Sequence, residues 1–83
     1  MTAAEYKAVR CSLNLTQAAL GALLGVSTTT VCRKEIGLVG IGTVDYWQLV
    51  GVASHLDKRV HRALLSVVRT RKRHSIAKLL ELG

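Results

Sequence analysis

Few side chains in this 83-residue chain have the type and spacing that metal binding or nucleophilic catalysis requires. No pair or triplet stands at metal-ligand spacing, and no Ser-His-Asp or paired-carboxylate pattern exceeds chance. We therefore expect no enzyme, no metal site and no cofactor. Cys32 could sense oxidation if it were exposed, but a role as a small filler residue is favoured. The residues considered are Cys11, Cys32, His55, His61 and His74.

Positive charge is the dominant chemical property of the chain. Twelve Lys and Arg against five Asp and Glu give a net charge of +7, which points to a polyanionic partner. Residues 41–83 contribute +5 of this charge, and the densest cluster is residues 69–74. That cluster could bind phosphates or could be a solvated cationic helix end. RNA is disfavoured because no aromatic stacking platform accompanies the charge.

Composition favours one small all-α domain. Apolar residues make up 49% of the chain and both Phe and Pro are absent, so Leu, Val and Ala must build the core. Residues 11–32 carry no charge and could span a bilayer by length, but their polar side chains argue against a membrane span. Without a disulfide framework or a signal-peptide pattern, we expect a cytoplasmic protein.

Residues that favour helix ends divide the first 37 residues into three predicted helices. A capping box opens the first and a left-handed Asn ends it, hydroxyl side chains cap the second and third, and Gly closes the second. These residues are Thr2 with Glu5, Asn14, Thr16, Ser27 and Gly25. The third helix would run to about Glu35, although the β-branched run at residues 28–31 disfavours helix. The residues expected to face the core are Tyr6, Val9, Leu13, Leu20, Leu23, Leu24 and Val31.

An aliphatic loop and two or three helices are predicted after residue 35. Residues 36–42 are rich in Gly and aliphatic side chains and indicate a loop. Thr43 or Asp45 could cap a fourth helix that ends near His55, and Asp57 could start a fifth. Ser75 could cap a sixth, unless the fifth and sixth form one long helix. The inward residues expected are Tyr46, Leu49, Val50, Ala53, Val60, Leu64, Val67, Val68, Ile76, Leu79 and Leu80.

The stretch from Leu13 to Gly37, LNLTQAALGALLGVSTTTVCRKEIG, resembles the Xre/Cro/C1-type helix-turn-helix family of small phage and bacterial transcriptional regulators. The shared features are Leu-Thr-Gln at the start of the second helix, Leu-Gly-Val at the turn, a hydroxyl-capped third helix and the Glu that ends it. The resemblance implies an all-α, compact five- to six-helix bundle of the lambda-repressor-like DNA-binding type. The chain 1–83 would be one domain, with helix 1 and the helix-turn-helix (helices 2 and 3) in 1–37. Dimerisation and backbone contacts would fall in 43–83.

The resemblance also implies roles for individual residues. Thr28, Thr29 and Arg33 fall where the family reads base edges in the major groove. Arg10, which stands 25 residues before Glu35, would form the family's structural ion pair with it. The residues that would contact phosphates are Gln17, Ser27, Lys34, Arg71, Lys72 and Arg73. A solvated surface role is the alternative for Gln17 and for the two threonines.

Two features depart from the family. Gly21 stands where the family usually has Ala, and the loop 36–42 lacks the cationic or Asn residues that often contact the DNA backbone. The aliphatic residues of this region exceed what one small core is expected to bury, so a two-fold dimer is predicted to cover them. Packing of Trp47 within the monomer is the alternative. The expected dimer residues are Leu38, Val39, Ile41 and Trp47.

These observations predict a homodimeric, sequence-specific, double-stranded DNA-binding transcriptional regulator. We expect a repressor that binds a palindromic operator in phage, plasmid or bacterial DNA through the major groove. No small-molecule effector is evident from the sequence. The alternative function is a helix-turn-helix protein-interaction module, such as an antitoxin or a phage inhibitor of a host protein. Salt separates the two, because DNA affinity falls steeply with ionic strength.

Overall fold

The computed structural model describes residues 1–70, with side chains to Ser66. Within this range the chain forms five α-helices and no strand, which confirms the all-α prediction. The helices are α1 (Ala3–Ser12), α2 (Gln17–Leu24), α3 (Thr28–Glu35), α4 (Thr43–Leu56) and α5 (Lys58–Thr70). The predictions of a sixth helix from Ser75, of phosphate contacts at 71–73 and of inward positions from Val67 onward lie outside the described part.

The ends of α1 follow the sequence signals. The Thr2 hydroxyl accepts a hydrogen bond from the Glu5 backbone N–H at 3.1 Å, and the Thr2 N–H donates to Glu5 Oε1 at 2.7 Å. This reciprocal pair is the predicted capping box, and it satisfies two N–H groups that a helix start leaves free. Asn14 has a φ of 57°, so the chain leaves α1 through the left-handed conformation as expected.

Hydroxyl side chains cap both α2 and α3, and only a short turn separates the two helices. The Thr16 hydroxyl accepts from the Ala19 N–H at 3.0 Å, and the Ser27 hydroxyl accepts from the Thr30 N–H at 3.2 Å. Gly25 ends α2 with a φ of 73°. Only residues 25–27 separate the helices, and α3 packs directly on α2. The hydroxyl-rich run is therefore helical, because a strong cap and tertiary packing outweigh its low propensity.

The core receives side chains from all five helices. Leu20 is fully buried, whereas Leu23, which was expected to face inward, is 57% exposed. The prediction for Leu23 was wrong because the buried side of this two-turn helix is centred on Leu20, Gly21 and Leu24, and Leu23 lies about 100° away from that centre. The buried apolar residues are Tyr6, Val9, Leu13, Leu20, Val31, Leu49, Val50, Ala53, Val60 and Leu64.

The start of α4 differs from the prediction in its cap. Gly42 is the N-cap, so neither Thr43 nor Asp45 has that role. Asp45 lies in the first turn instead, where its Oδ2 accepts from the Gly42 N–H at 2.8 Å. Asp57 does open α5 as expected, since its Oδ1 accepts from the Arg59 N–H at 2.9 Å. The Tyr46 hydroxyl donates to the Leu64 carbonyl and links α4 to α5.

Two glycines inside helices have opposite surroundings. A Cβ atom placed on Gly21 would lie 2.8 Å from the Val26 carbonyl oxygen, which is closer than backbone atoms tolerate. Gly21 is therefore required for the close approach of α2 to the turn that precedes α3. A Cβ atom on Gly51 in α4 would meet nothing within 4 Å among the described residues.

We expect the same substitution to have opposite effects at these two glycines. Gly51→Ala should raise the free energy of unfolding by up to about 1 kcal/mol, because alanine favours helix more than glycine does. Gly21→Ala should lower it by about 1–3 kcal/mol, because the Val26 carbonyl must move. Urea denaturation of the two variants and the parent measures both changes. Equal stabilisation by both would contradict the close approach at Gly21.

Candidate nucleic-acid interface

A buried ion pair joins the first and third helices. Arg10 on α1 donates from Nε to Glu35 Oε2 at 2.5 Å and from Nη2 to Glu35 Oε1 at 3.0 Å. The side chains are 12% and 2% exposed, respectively. Arg10 Nη1 also donates to the Leu15 carbonyl at 2.7 Å, so the segment before α2 is tied to the same group. The ion pair predicted between residues 25 positions apart is formed, and it fixes the C-terminal end of α3.

Gln17 takes part in this buried network. Its Nε2 donates to Glu35 Oε1 at 3.0 Å, a contact that the sequence analysis missed. This bond uses one of the two hydrogens on Nε2, so the predicted contact of Gln17 with a phosphate stays open. The first two backbone N–H groups of α2 are further donors at this end of the helix, whereas the Ala19 N–H is bonded to the Thr16 hydroxyl. The sequence spacing alone gave no sign that Gln17 on α2 would join the ion pair between Arg10 and Glu35.

The network keeps Glu35 ionised. Burial by itself raises the pKa of this carboxyl, but the hydrogen bonds from Arg10 and Gln17 outweigh burial, and the pKa lies below its ordinary value. The hydrogen bond to Glu35 raises the pKa of Arg10 despite the opposing effect of burial. The charged form of the pair is thus the form that the fold stabilises.

The stability contributed by Glu35 should disappear in acid. Because its pKa is lower in the folded state, the contribution is complete above the unfolded pKa of about 4.3 and is lost as the pH falls through the folded pKa. Glu35→Gln should lower the free energy of unfolding by about 3–5 kcal/mol at pH 7. The difference in unfolding free energy between variant and parent should be smaller near pH 3. Urea denaturation at both pH values measures this. Asp57→Asn is the comparison: backbone hydrogen bonds at the start of α5 also lower the pKa of Asp57, but this carboxyl lies at the surface and Asn caps a helix as well as Asp does, so the difference of this variant from the parent should be small at both pH values. A difference for Glu35→Gln that is independent of pH would contradict the assignment.

The outward face of α3 is polar and exposed. Thr28, Thr29 and Arg33 are exposed, and within the described residues their side chains have no hydrogen-bond or ion-pair partner. Val31, on the opposite side of the helix, is completely buried. The side chains predicted to meet a ligand are therefore available to one, and the helix that carries them is anchored from behind.

The remaining polar residues of α3 are engaged locally. The hydroxyls of Ser27 and Thr30 lie 3.0 Å apart, so part of the Ser27 hydrogen-bonding capacity serves the helix start. Thr30 is half-buried, as expected. Cys32 is also half-buried and Cys11 is exposed.

Lys34 does not fit the phosphate-contacting role predicted for it. It is buried, its ammonium forms an ion pair with Asp45 on α4, and its Nζ lies 5.9 Å from the centroid of the Tyr6 ring. The reason is helical geometry, because Lys34 stands three residues after Val31 and shares its inward face. Burial raises the pKa of Asp45, but hydrogen bonds from Lys34 and the Gly42 N–H outweigh it, so this pKa is lowered. The pair connects α3 to α4 across the loop.

Apolar side chains are exposed where the loop 36–42 meets α4. We name this the loop surface, and its most exposed members are Leu38 at 72% and Val44 at 71%. Trp47 is 48% exposed, so packing inside the described chain covers only about half of it. Ile41, which was predicted to lie in a dimer interface, is half-buried against the core instead. The loop surface consists of Ile36, Leu38, Val39, Val44 and Trp47.

Exposed cations lie at the start of α5, a position that the sequence analysis passed over in favour of residues 69–74. Lys58, Arg59 and Arg62 are exposed. Arg59 makes a weak contact with Asp57 at 3.7 Å, and its side chain is 88% exposed. The sequence signal was available as four basic or histidine residues in the run DKRVHR, but it lacks the density of the later cluster.

Other kinds of site are not found in the described part of the chain. Residues 1–70 contain no group of three or more His, Cys, Asp or Glu side chains that could hold a metal ion. None of the described helices has both the length and the apolar character that crossing a membrane requires. Comparison with known proteins found no matching family model, no matching curated protein and no matching solved structure.

Proposed function

We propose that this chain is a sequence-specific double-stranded DNA-binding regulator of the Xre/Cro/C1-type helix-turn-helix class. In this interpretation α2 and α3 form the helix-turn-helix of a lambda-repressor-like bundle, and α3 is the recognition helix. The observation that carries the proposal is the outward face of α3, where Thr28, Thr29 and Arg33 are exposed and unpaired within residues 1–70. The opposite face is anchored by Val31 and Glu35.

The chemistry of this face suits base edges in a major groove. Each threonine offers a hydroxyl that can donate or accept and a methyl that can pack on the thymine methyl. Arg33 can donate two hydrogen bonds to O6 and N7 of a guanine. An α-helix such as α3 is about 10–12 Å in diameter with its side chains, which fits a groove roughly 12 Å wide.

Phosphate contacts in the proposed complex come from backbone donors, from the second N–H of the Gln17 amide and from cations outside α3. The N–H groups at the start of α2 and α3 can each hydrogen-bond a phosphate oxygen, with Ser27 at the second of these ends. Arg71, Lys72 and Arg73 are proposed to contact the backbone from beyond the described residues. Lys34 is left out, because its ammonium is paired with Asp45.

Removing the Arg33 side chain should weaken operator binding without unfolding the protein. We expect Arg33→Ala to cost about 1–3 kcal/mol of binding free energy and to change the free energy of unfolding by less than about 0.5 kcal/mol. The operator is first selected from a random duplex library, and affinities are measured by fluorescence anisotropy. Lys58→Ala is the matched control, because it removes an exposed cation that lies on α5. Equal affinity of Arg33→Ala and the parent would remove Arg33 from the role, and failure to enrich any sequence would contradict the proposal.

A protein-interaction module is the second candidate function, because the loop surface offers an exposed apolar area. The two candidates respond differently to salt. Affinity for DNA should fall with a log-log slope of about −0.9 for each phosphate contact, whereas an apolar protein contact should change little. A steep slope with the selected operator supports DNA binding through phosphate contacts, and a flat one contradicts it.

The proposed regulator is a homodimer that pairs through the loop surface. Five large apolar side chains are exposed there, and a two-fold contact would bury both copies of this patch at once. Such a dimer would present two recognition helices to a palindromic operator, one DNA turn apart. Trp47 would lie in the contact, while Ile41 would support it from the core side.

A charge in the loop surface should separate the two copies. Leu38→Asp should raise the dimer dissociation constant by at least about tenfold, because it buries two unpaired carboxylates in a two-fold contact. Leu23→Asp is the control, since Leu23 is a similarly exposed leucine on α2. Sedimentation equilibrium measures the association of each variant. A dimer that survives Leu38→Asp would contradict pairing through the loop surface.

A further inference from the structure

A second apolar region lies away from the loop surface, between the last turn of α2 and the C-terminal half of α4. It is a groove of about 480 Å³, lined by Leu23 and Leu24 on one side and by Gly51, Val52 and Leu56 on the other. Leu23 and Leu56 are 57% and 51% exposed. The α4 lining residues, from Gln48 to Leu56, recur at helical spacing, so this wall of the groove follows the axis of α4 for about two turns.

Gly51 forms part of this groove without any use inside the described chain. Glycine weakens a helix interior, and Gly51 stands in the middle of a 14-residue helix. At Gly21 the close approach of Val26 explains the missing side chain, but at Gly51 no atom of the described residues lies within 4 Å of the position that a Cβ would take. A glycine at this position leaves room for a side chain or a backbone that comes from outside.

Exposed cations follow the last lining residue of the groove along the chain. Leu56 is followed after one residue by α5, whose exposed Lys58, Arg59 and Arg62 lie in its first two turns. Asp57, the anion of this region, already accepts hydrogen bonds from the backbone N–H groups at the start of α5. Arg59 contacts Asp57, whereas Lys58 and Arg62 have no ion-pair partner among the described residues. A mainly apolar groove followed by these two cations fits a ligand that is apolar on one face and acidic near one end.

We propose that this groove binds an acidic amphipathic helix of a partner protein. Leucine-like side chains spaced by three or four residues would enter between α2 and α4, and carboxylates would face Lys58 and its neighbours. A second copy of this chain is disfavoured because a two-fold contact here would bring the cationic first turns of α5 together. DNA is disfavoured because the lining is mainly apolar, with Gln48 and His55 as its polar side chains. The proposal is independent of DNA binding, since no groove residue lies on the outward face of α3.

The test uses the isotope-labelled full chain and two synthetic helical peptides of about 15 residues. Both carry leucines at the same spacing, and the remaining positions are mainly Glu in one and mainly Lys in the other. We expect the Glu peptide to bind at least about tenfold more tightly than the Lys peptide at physiological salt. Chemical-shift changes should centre on the backbone amides of Leu23, Gly51 and Leu56.

Two pairs of variants localise the binding. Gly51→Leu fills the groove and should weaken the Glu peptide by at least about tenfold without lowering the melting temperature, because the position is open and leucine favours helix. Ala4→Leu, at an exposed position of α1, should leave binding unchanged. Lys58→Glu should weaken binding by about threefold or more. Lys7→Glu makes the same change in net charge on α1 and should have little effect.

Several results would overturn the inference. These are equal binding of the two peptides, shifts centred on the loop surface, or full affinity in Gly51→Leu. A homodimer that dissociates in Gly51→Leu would assign the groove to a second copy instead. Operator affinity of Gly51→Leu separates this question from the proposed function, because DNA binding should be unchanged whether or not the peptide binds.

Discussion

The structure depends most on the buried contact between Arg10 and Glu35. A short helix of eight residues with three consecutive threonines has little tendency to form alone, and one hydroxyl cap does not make up the difference. The two-pronged contact with Arg10 and the hydrogen bond from Gln17 attach its last residue to both α1 and α2. Such a pair adds little net stability, but it allows few alternative positions, because any other arrangement would leave a charge buried without a partner.

Three consecutive charged residues of α3 face in different directions and have different roles. Each step along the helix turns by about 100°, so Arg33 faces outward, Lys34 reaches Asp45 on α4 and Glu35 reaches Arg10 on α1. One charge is left for a ligand while two hold the helix in place. Residues 33–35 therefore do not form a uniform basic surface. Their net charge does not show which cation is free to contact a ligand.

Local signals explain most of what the sequence predicted. The helix ends at Thr2, Asn14, Thr16, Ser27 and Asp57 depend on a few adjacent residues, and the pair between Arg10 and Glu35 came from a family spacing. The errors at Leu23 and Lys34, and the missed role of Gln17, have a different origin. Each depends on how far a helix is rotated about its own axis against its neighbours, which periodicity in a two-turn helix fixes only loosely. Gly42 was missed as a cap because it has no side chain to indicate one.

The contact between Lys34 and Asp45 has a consequence for the geometry of the proposed dimer. Asp45 also holds the Gly42 backbone, so both ends of the loop are fastened to one carboxylate and α4 cannot swing freely relative to α3. Two copies joined through this region would hold their α3 helices at a fixed separation. Adding one base pair between half-sites rotates the second site by roughly 35°, which a rigid linkage of this kind would not follow. The phasing of the duplex, and not only its bases, would then be part of what the protein recognises.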